Sequence, residues 1–196
     1  MRILLSNKFY YPKGGDCIYT MELEKLLIKN GHEVAIFTQQ HPKNKKSKYS
    51  RYWPSGIDYS QVSFSNIKEQ ICRPIKSNQV ADNFARLIRD FKPEIVHLNN
   101  IHSQISPIIA QIAYENNIPI IWTLHDYKLL CPSYSLLRND AICELCMVHK
   151  YNVIKYRCVK NIIGSTIAYI EAKKSSITNR DISLKNQKYL SKFINL

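Results

Sequence analysis

The sequence predicts an α/β fold, a parallel sheet with helices on both faces, and three observations predict it. Short apolar runs that fit buried strands alternate with segments of helical period. Asn30-Gly31 and Asn116-Asn117 mark where two of the helical segments stop, and Pro93 closes the connection after a third. The opening reads strand, glycine loop, helix, glycine, strand, a βαβ unit whose crossover should be right-handed.

Arg2 to Asn7 is the first strand, and Phe9 to Gly15 (FYYPKGG) is a loop ending in a glycine pair. A helix follows from Asp16, with Tyr19, Leu23, Leu26 and Leu27 expected on one face, and Asn30-Gly31 stops it. His32 to Thr38 is the second strand. Gln39 to Lys76 breaks the rhythm, with eight Lys or Arg against two acids and Tyr49, Tyr52, Trp53 and Pro54 interleaved. It lacks helical patterning, and Ile57 to Phe64 is its one candidate strand. Val80, Phe84, Leu87, Ile88 and Phe91 then form an amphipathic stripe. Glu94 to Leu98 is a strand, and Asn99 to Ser103 is a polar loop. The next helix carries Ile105, Ile108, Ile109, Ile112 and Ala113, with Pro107 in its first turn. Pro119 to Leu124 is the last clear strand. Ile163, Ile167 and Ile170 suggest a final helix to about Lys174, before a polar tail over 175–196.

At 196 residues one domain is the natural expectation, with two small ones as the alternative, and it is assigned to residues 1–174. The formal charge of +13 fits nucleic acid, an anionic membrane surface or phosphorylated ligands as partners, or else a lysine-rich solvated surface. Met1-Arg2 leads straight into a short strand, too short for a secretory signal, and no run of about 18 apolar residues occurs. A cytoplasmic chain is expected. There, six cysteines point to thiols or metal ligands before disulfides.

Ligands of parallel sheets sit outside the carboxyl ends of the strands. The loops at Lys8–Gly15, after Gln39, at Asn99–Ser103 and from His125 should therefore share one functional edge. Gly14 and Gly15 open backbone N–H groups toward a phosphate or polar ligand, or simply make a tight turn. His125, at a strand tip beside Asp126, can titrate near neutrality or hydrogen-bond a hydroxyl, and Asp126 can orient it or cap the next backbone turn. A structural histidine held by carbonyls is the plain alternative. His97 reads as a core histidine; Asn99 and His102 lie in the adjoining loop as ligand-contacting candidates.

Cys131, Cys143, Cys146 and Cys158 are spaced C-x11-C-x2-C-x11-C. One close pair with two outlying cysteines can meet at a structural zinc, with His149 in reserve, or the four can remain reduced thiols. Cys17 and Cys72 are isolated. No cysteine stands out beside a base as a nucleophile.

P-x-G-G before the first helix, then N-G-H-E-V-A-I-F-T, E-I-V-H-L-N-N and W-T-L-H-D-Y-K-L-L-C-P together resemble the N-terminal domain of family 4 glycosyltransferases, which have the GT-B fold. The resemblance runs from Arg2 to about Lys174. H-D-Y-K-L-L-C-P-S-Y followed by C-x-x-C resembles a bacterial subset with a cysteine-bearing loop.

The resemblance implies a Rossmann-like acceptor-side domain facing a nucleotide-sugar donor domain across a cleft. It also implies retaining transfer, of hexosyltransferase type, without a catalytic metal. Gly14 and Gly15 would approach the donor, and His125 would contact the donor sugar. The basic Gln39–Lys76 segment would face a sugar or lipid-linked acceptor and the inner membrane surface. The family's donor half, with its E-x7-E type motif, has no counterpart here, so the 196 residues are expected to be inactive alone, with 175–196 beginning an interdomain linker. A rival reading is a basic, zinc-pinned nucleic-acid module. Against it, the basic residues are not gathered on one helix, and no nucleic-acid partner is expected. A non-catalytic partner subunit of a transferase is the third reading.

Overall fold

In the computed structural model, residues 1–59, 67–74 and 77–173 are described. They divide into two compact units, Met1–His125 and the chain from Asp126 onward.

The first unit is built on β1 (Arg2–Ser6), α1 (Gly15–Lys29), β2 (Glu33–Phe37), α2 (Ile67–Cys72), α3 (Asn78–Phe91), β3 (Ile95–Leu98), α4 (Ile108–Glu115) and β4 (Ile120–Trp122). The strands form one parallel sheet in the order β2-β1-β3-β4. Parallel strands flanked by helices bury nearly all their side chains, and Leu4, Leu5, Ala35, Phe37, Val96 and Leu98 are fully buried here. The edge strand β4 behaves differently: Ile120 is buried while Ile121 is half exposed. The other edge, β2, is shielded where the Trp53 indole N–H donates to the Ile36 carbonyl at 2.9 Å.

α3 follows its sequence closely. The Ser77 side chain accepts from the Val80 N–H at its start, and Lys92 turns left-handed at its end. All five residues of its apolar stripe are buried, and it packs against α4. α1 forms where expected, and Gly31 takes the positive φ of 79° that stops it. Its inward face differs from the expected one. Cys17, Thr20 and Met21 are buried, while Tyr19 and Leu26 are exposed. Cys17, Ile18, Met21 and Ile28 offer a second apolar stripe beside the leucines, so spacing alone does not choose between them.

The Gln39–Lys76 segment is more ordered than its sequence suggests. It holds a 3-10 turn at Ser50–Tyr52 and the helix α2, which corrects the expectation of no helix there. Tyr52 and Trp53 are buried, so these aromatics serve the core and not a binding face. Gly56 is fixed by close approach, since a Cβ there would meet the Gln40 carbonyl oxygen at 2.3 Å. Of the candidate strand Ile57–Phe64, residues 57–59 are irregular and 60–64 lie outside the described residues, as does the tail over 175–196.

The described residues of the second unit hold a hairpin of β5 (Leu137–Arg138) and β6 (Ala141–Ile142), two single-turn helices α5 (Leu145–Val148) and α6 (Asn152–Lys155), and a helix over 162–173. That last helix is where the isoleucine spacing placed it, but Ile163 and Ile170 are exposed and Ser165, Ala168, Glu171 and Ala172 are buried. Glu171 pairs with the Lys128 ammonium at 3.2 Å, so the inward face is chosen by an ion pair and small side chains. No helix among the described residues is long and apolar enough to cross a membrane.

Candidate functional site

The loops after β1, β3 and β4 are stitched into one edge by their own polar groups. The Asn99 N–H donates to Ser6 O at 2.9 Å, and the Lys8 N–H donates to Asn100 O at 2.9 Å. Asn7 Oδ1 accepts from the Asn100 N–H at 3.1 Å, and the Thr123 N–H donates to Leu98 O at 2.9 Å. Buried backbone groups need such partners, and here they fix the loops at the strand ends.

Asn99 is the centre of this edge and only 1% exposed. Its Nδ2 donates to Ser6 O at 3.4 Å, and the Trp122 indole N–H donates to its backbone carbonyl at 3.1 Å. That leaves Oδ1 pointing at His125, whose Nε2 lies 3.0 Å away. With an acceptor opposite it, Nε2 carries the proton in this contact. Thus Asn99 sets both the ring's orientation and its tautomer.

His97 lies one sheet position behind. Its Nε2 is 2.7 Å from Thr123 Oγ1. Burial, and secondarily the charge of His125, hold its pKa below the ordinary histidine value. Tyr19 projects from the second turn of α1, its ring edge-on to His125 at 5.0 Å and to His97 at 6.4 Å. His102 is buried and stacks on Trp122, with centroids 5.6 Å apart. In the second unit, Asp126 Oδ1 accepts from the Lys128 N–H at 2.9 Å, a backbone-capping geometry.

The edge thus brings Asn99, His102 and His125 together and adds Tyr19, Thr123 and Trp122, which sequence reasoning missed. Tyr19 was placed on a core stripe. The signal available for it was its position one helical turn beyond Gly15, facing the expected ligand edge. Gly14 and Gly15 begin α1. Gly14 is extended (φ −164°), and a Cβ on Gly15 would meet no atom within 4 Å. Neither backbone strain nor a neighbour among the described residues requires glycine at 15.

Beside these groups, the loops after β1 and β2 interlock. The Tyr11 and His41 rings stack at 4.7 Å, and the Lys13 ammonium sits 3.9 Å over the Phe9 ring. Partial burial, then the charges of Lys13 and Lys43, lower the His41 pKa. Lys13, Lys43, Lys45 and Lys46 are all exposed here.

The four cysteines of the 131–158 segment all fall in the second unit. Burial, then the charges of Cys131, Cys158 and Cys143, push Cys146 up to about 11. Burial would also raise Cys131. Hydrogen bonds from the Ser133 side chain and from the backbone amides of Leu136, Ser133 and Ser135 outweigh it and hold that thiol below its ordinary value.

The sequence model described as Glycosyltransferase Family 4 matches residues 14–143, a stretch running from the glycine pair through the His125 edge to Cys143. An "uncharacterized 42.6 kDa protein in cps region" of Klebsiella pneumoniae is 30% identical over 184 residues, covering 85% of this chain and 47% of that protein. The chain thus spans less than half the length of that relative. The sheet order, the polar edge at its strand ends and a family match over most of the first unit agree, and the chain belongs to glycosyltransferase family 4.

Proposed function

We propose that this chain is the acceptor-side part of a retaining, hexosyltransferase-type enzyme that moves a sugar from a nucleotide-sugar donor in cell-surface polysaccharide or glycolipid assembly. The carrying observation is the Asn99–His125 pair, a histidine held in one tautomer at the ligand-binding edge of a family 4 sheet. The cps-region relative supports polysaccharide assembly. In this reading His125 contacts the donor sugar, and the bare Gly15 lets the donor approach the first turn of α1, whose N–H groups favour phosphate. Stabilising a departing nucleoside diphosphate needs further positive groups, which a donor-binding half would supply. The exposed lysines after β1 and β2 face a lipid-linked acceptor and the anionic inner surface of the membrane.

Transfer and hydrolysis of a panel of uridine- and guanosine-diphosphate sugars, measured with and without a donor-binding half, test this. With that half present, His125→Ala should lower kcat about 100-fold or more, as loss of one transition-state hydrogen bond does. Asn99→Ala should lower it less. The double variant should be no slower than His125→Ala, because Asn99 acts through the ring it orients. Unchanged transfer by His125→Ala would sink the assignment.

A further inference from the structure

Among the described residues, no three His, Cys, Asp or Glu side chains stand where they could share a metal ion, so the expected zinc finds no ligand set. A built cluster of charge lies in the first unit instead, where the loops after β1 and β2 interlock. Asn44 ties these loops together. Its Oδ1 accepts from the Tyr10 N–H at 3.0 Å, and its Nδ2 donates to Gln39 O at 2.8 Å. The Lys45 N–H donates to Tyr10 O at 2.9 Å, and the Asn44 N–H to His41 O at 3.0 Å. Backbone groups paired in this way hold the side chains that leave them at fixed roots.

His41 stands among these groups. Its ring stacks on Tyr11 at 4.7 Å and meets Phe9 edge-on at 5.5 Å. The Lys43 N–H donates to its Nδ1 at 3.2 Å, so the neutral ring carries its proton at Nε2. The Lys13 ammonium sits 3.9 Å over the Phe9 ring that His41 touches. Lys13 and Lys43 both bear on the imidazole, and Asp58 acts against them. Burial first, then these two lysines, keep the ring from protonating at its ordinary pH. At neutral pH it is therefore an N–H donor beside two ammonium groups, with one opposing carboxylate. A phosphate group matches this surplus. Its oxygens accept from Nε2–H, and its two negative charges compensate both lysines.

We propose that Lys13, His41 and Lys43 form a phosphate-binding site beside the Tyr11–His41 stack, and that it takes the phosphate ester of the acceptor. The acceptor assignment rests on the reading that the loops after β1 and β2 receive that substrate; the binding of phosphate does not. No covalent bond changes. The ring and the two ammonium groups donate hydrogen bonds to phosphate oxygens. An anion beside an imidazole favours its charged form, so bound phosphate raises the His41 pKa from its depressed value. A site of this kind thus reports its own occupancy through the titration of one side chain.

NMR titration of the histidine-labelled full chain tests this, with the His41 signal assigned by its loss in His41→Gln. Inorganic pyrophosphate and geranyl diphosphate should each move the His41 midpoint upward, while chloride at matched ionic strength leaves it in place. Lys13 and Lys43 are exposed, so their glutamine variants keep the fold. Each should weaken pyrophosphate binding about 10-fold, the scale of one charge-assisted hydrogen bond. Lys29→Gln, an exposed lysine in the last turn of α1, should bind as the wild type does. A His41 midpoint that pyrophosphate does not move overturns the proposal. Equal weakening in Lys29→Gln also overturns it, by reducing the site to net charge. A shift given by phosphatidylglycerol vesicles and not by geranyl diphosphate assigns these cations to a lipid headgroup and overturns the acceptor site. Pyrophosphate binding needs no donor half, so its failure is distinct from that of the transferase reading. If His125→Ala stops transfer but pyrophosphate does not bind, only the phosphate site falls. If transfer is unchanged and pyrophosphate binds, the transferase reading and the acceptor assignment fall together.

Discussion

His97 and His125 occupy one sheet edge but answer to different neighbours. His125 is half-buried and tied to Asn99, whereas His97 is buried and tied to Thr123. Burial, then the nearby charge of His125, keep His97 from protonating at its ordinary pH. As pH falls below about 6.5, the unfolded chain takes up a proton that the folded chain refuses, so stability drops. The stabilisation is intact above that pH and is lost on the way down toward the folded-state value. Thermal melts of the wild type should therefore fall across this acidic range. His97→Gln, which keeps a polar group for Thr123, should flatten the slope. His41 is also lowered and contributes to both proteins, so the difference between the two melting curves isolates His97. Equal slopes would mean that His97 titrates as an exposed histidine does.

Among the elements, α3 and α1 mark what periodicity can and cannot tell. The α3 stripe has one apolar face and a serine cap, so its spacing determines its burial. Leu87→Ala should cost about 2–5 kcal/mol in denaturant unfolding, as for a fully buried leucine. In α1 apolar residues lie all round the helix, Cys17, Ile18 and Met21 on one side and Leu23, Leu26 and Leu27 on another, and Leu26 is 56% exposed. Leu26→Gln should stay within about 0.5 kcal/mol of wild type. A large loss at 26 would show that the spacing-based face, with Tyr19, Leu23, Leu26 and Leu27 inward, was correct after all. The helix over 162–173 departs from its spacing for another reason. The buried Glu171–Lys128 pair turns Ala168 and Ala172 inward and leaves Ile163 and Ile170 outside. A long-range ion pair leaves no mark in local periodicity. The parallel sheet and the position of His125 just past a strand were legible because apolar runs and glycine stops are local; the strand order was not read from the sequence. Tyr19, Thr123 and Trp122 were not legible, because they reach the site only through the packing of separate strands and helices.

At the scale of the whole molecule, the charge of +13 becomes informative only once it has a direction. Tyr52 and Trp53 are buried, so a surface of basic residues interleaved with those aromatics does not exist. What does exist is a set of exposed cations, Lys13, Lys43, Lys45 and Lys46, in the loops that leave the carboxyl ends of β1 and β2, whereas Lys48 reaches back to Glu33 at the amino end of β2. Lys25, Lys29 and Lys92 lie instead toward the amino ends of the strands that follow them. If the proposed membrane-facing role holds, only the first set should matter for attachment. Each lysine near an anionic surface contributes about 1 kcal/mol. Replacing Lys43, Lys45 and Lys46 together by Gln should therefore weaken binding about 100-fold. Sedimentation with vesicles of phosphatidylcholine, with and without phosphatidylglycerol, measures this. Binding should require the anionic lipid and decline as salt shortens the screening length. The Lys25, Lys29 and Lys92 triple substitution should bind as the wild type does. An equal loss in both triple variants would reduce the effect to net charge and remove the orientation from the proposal.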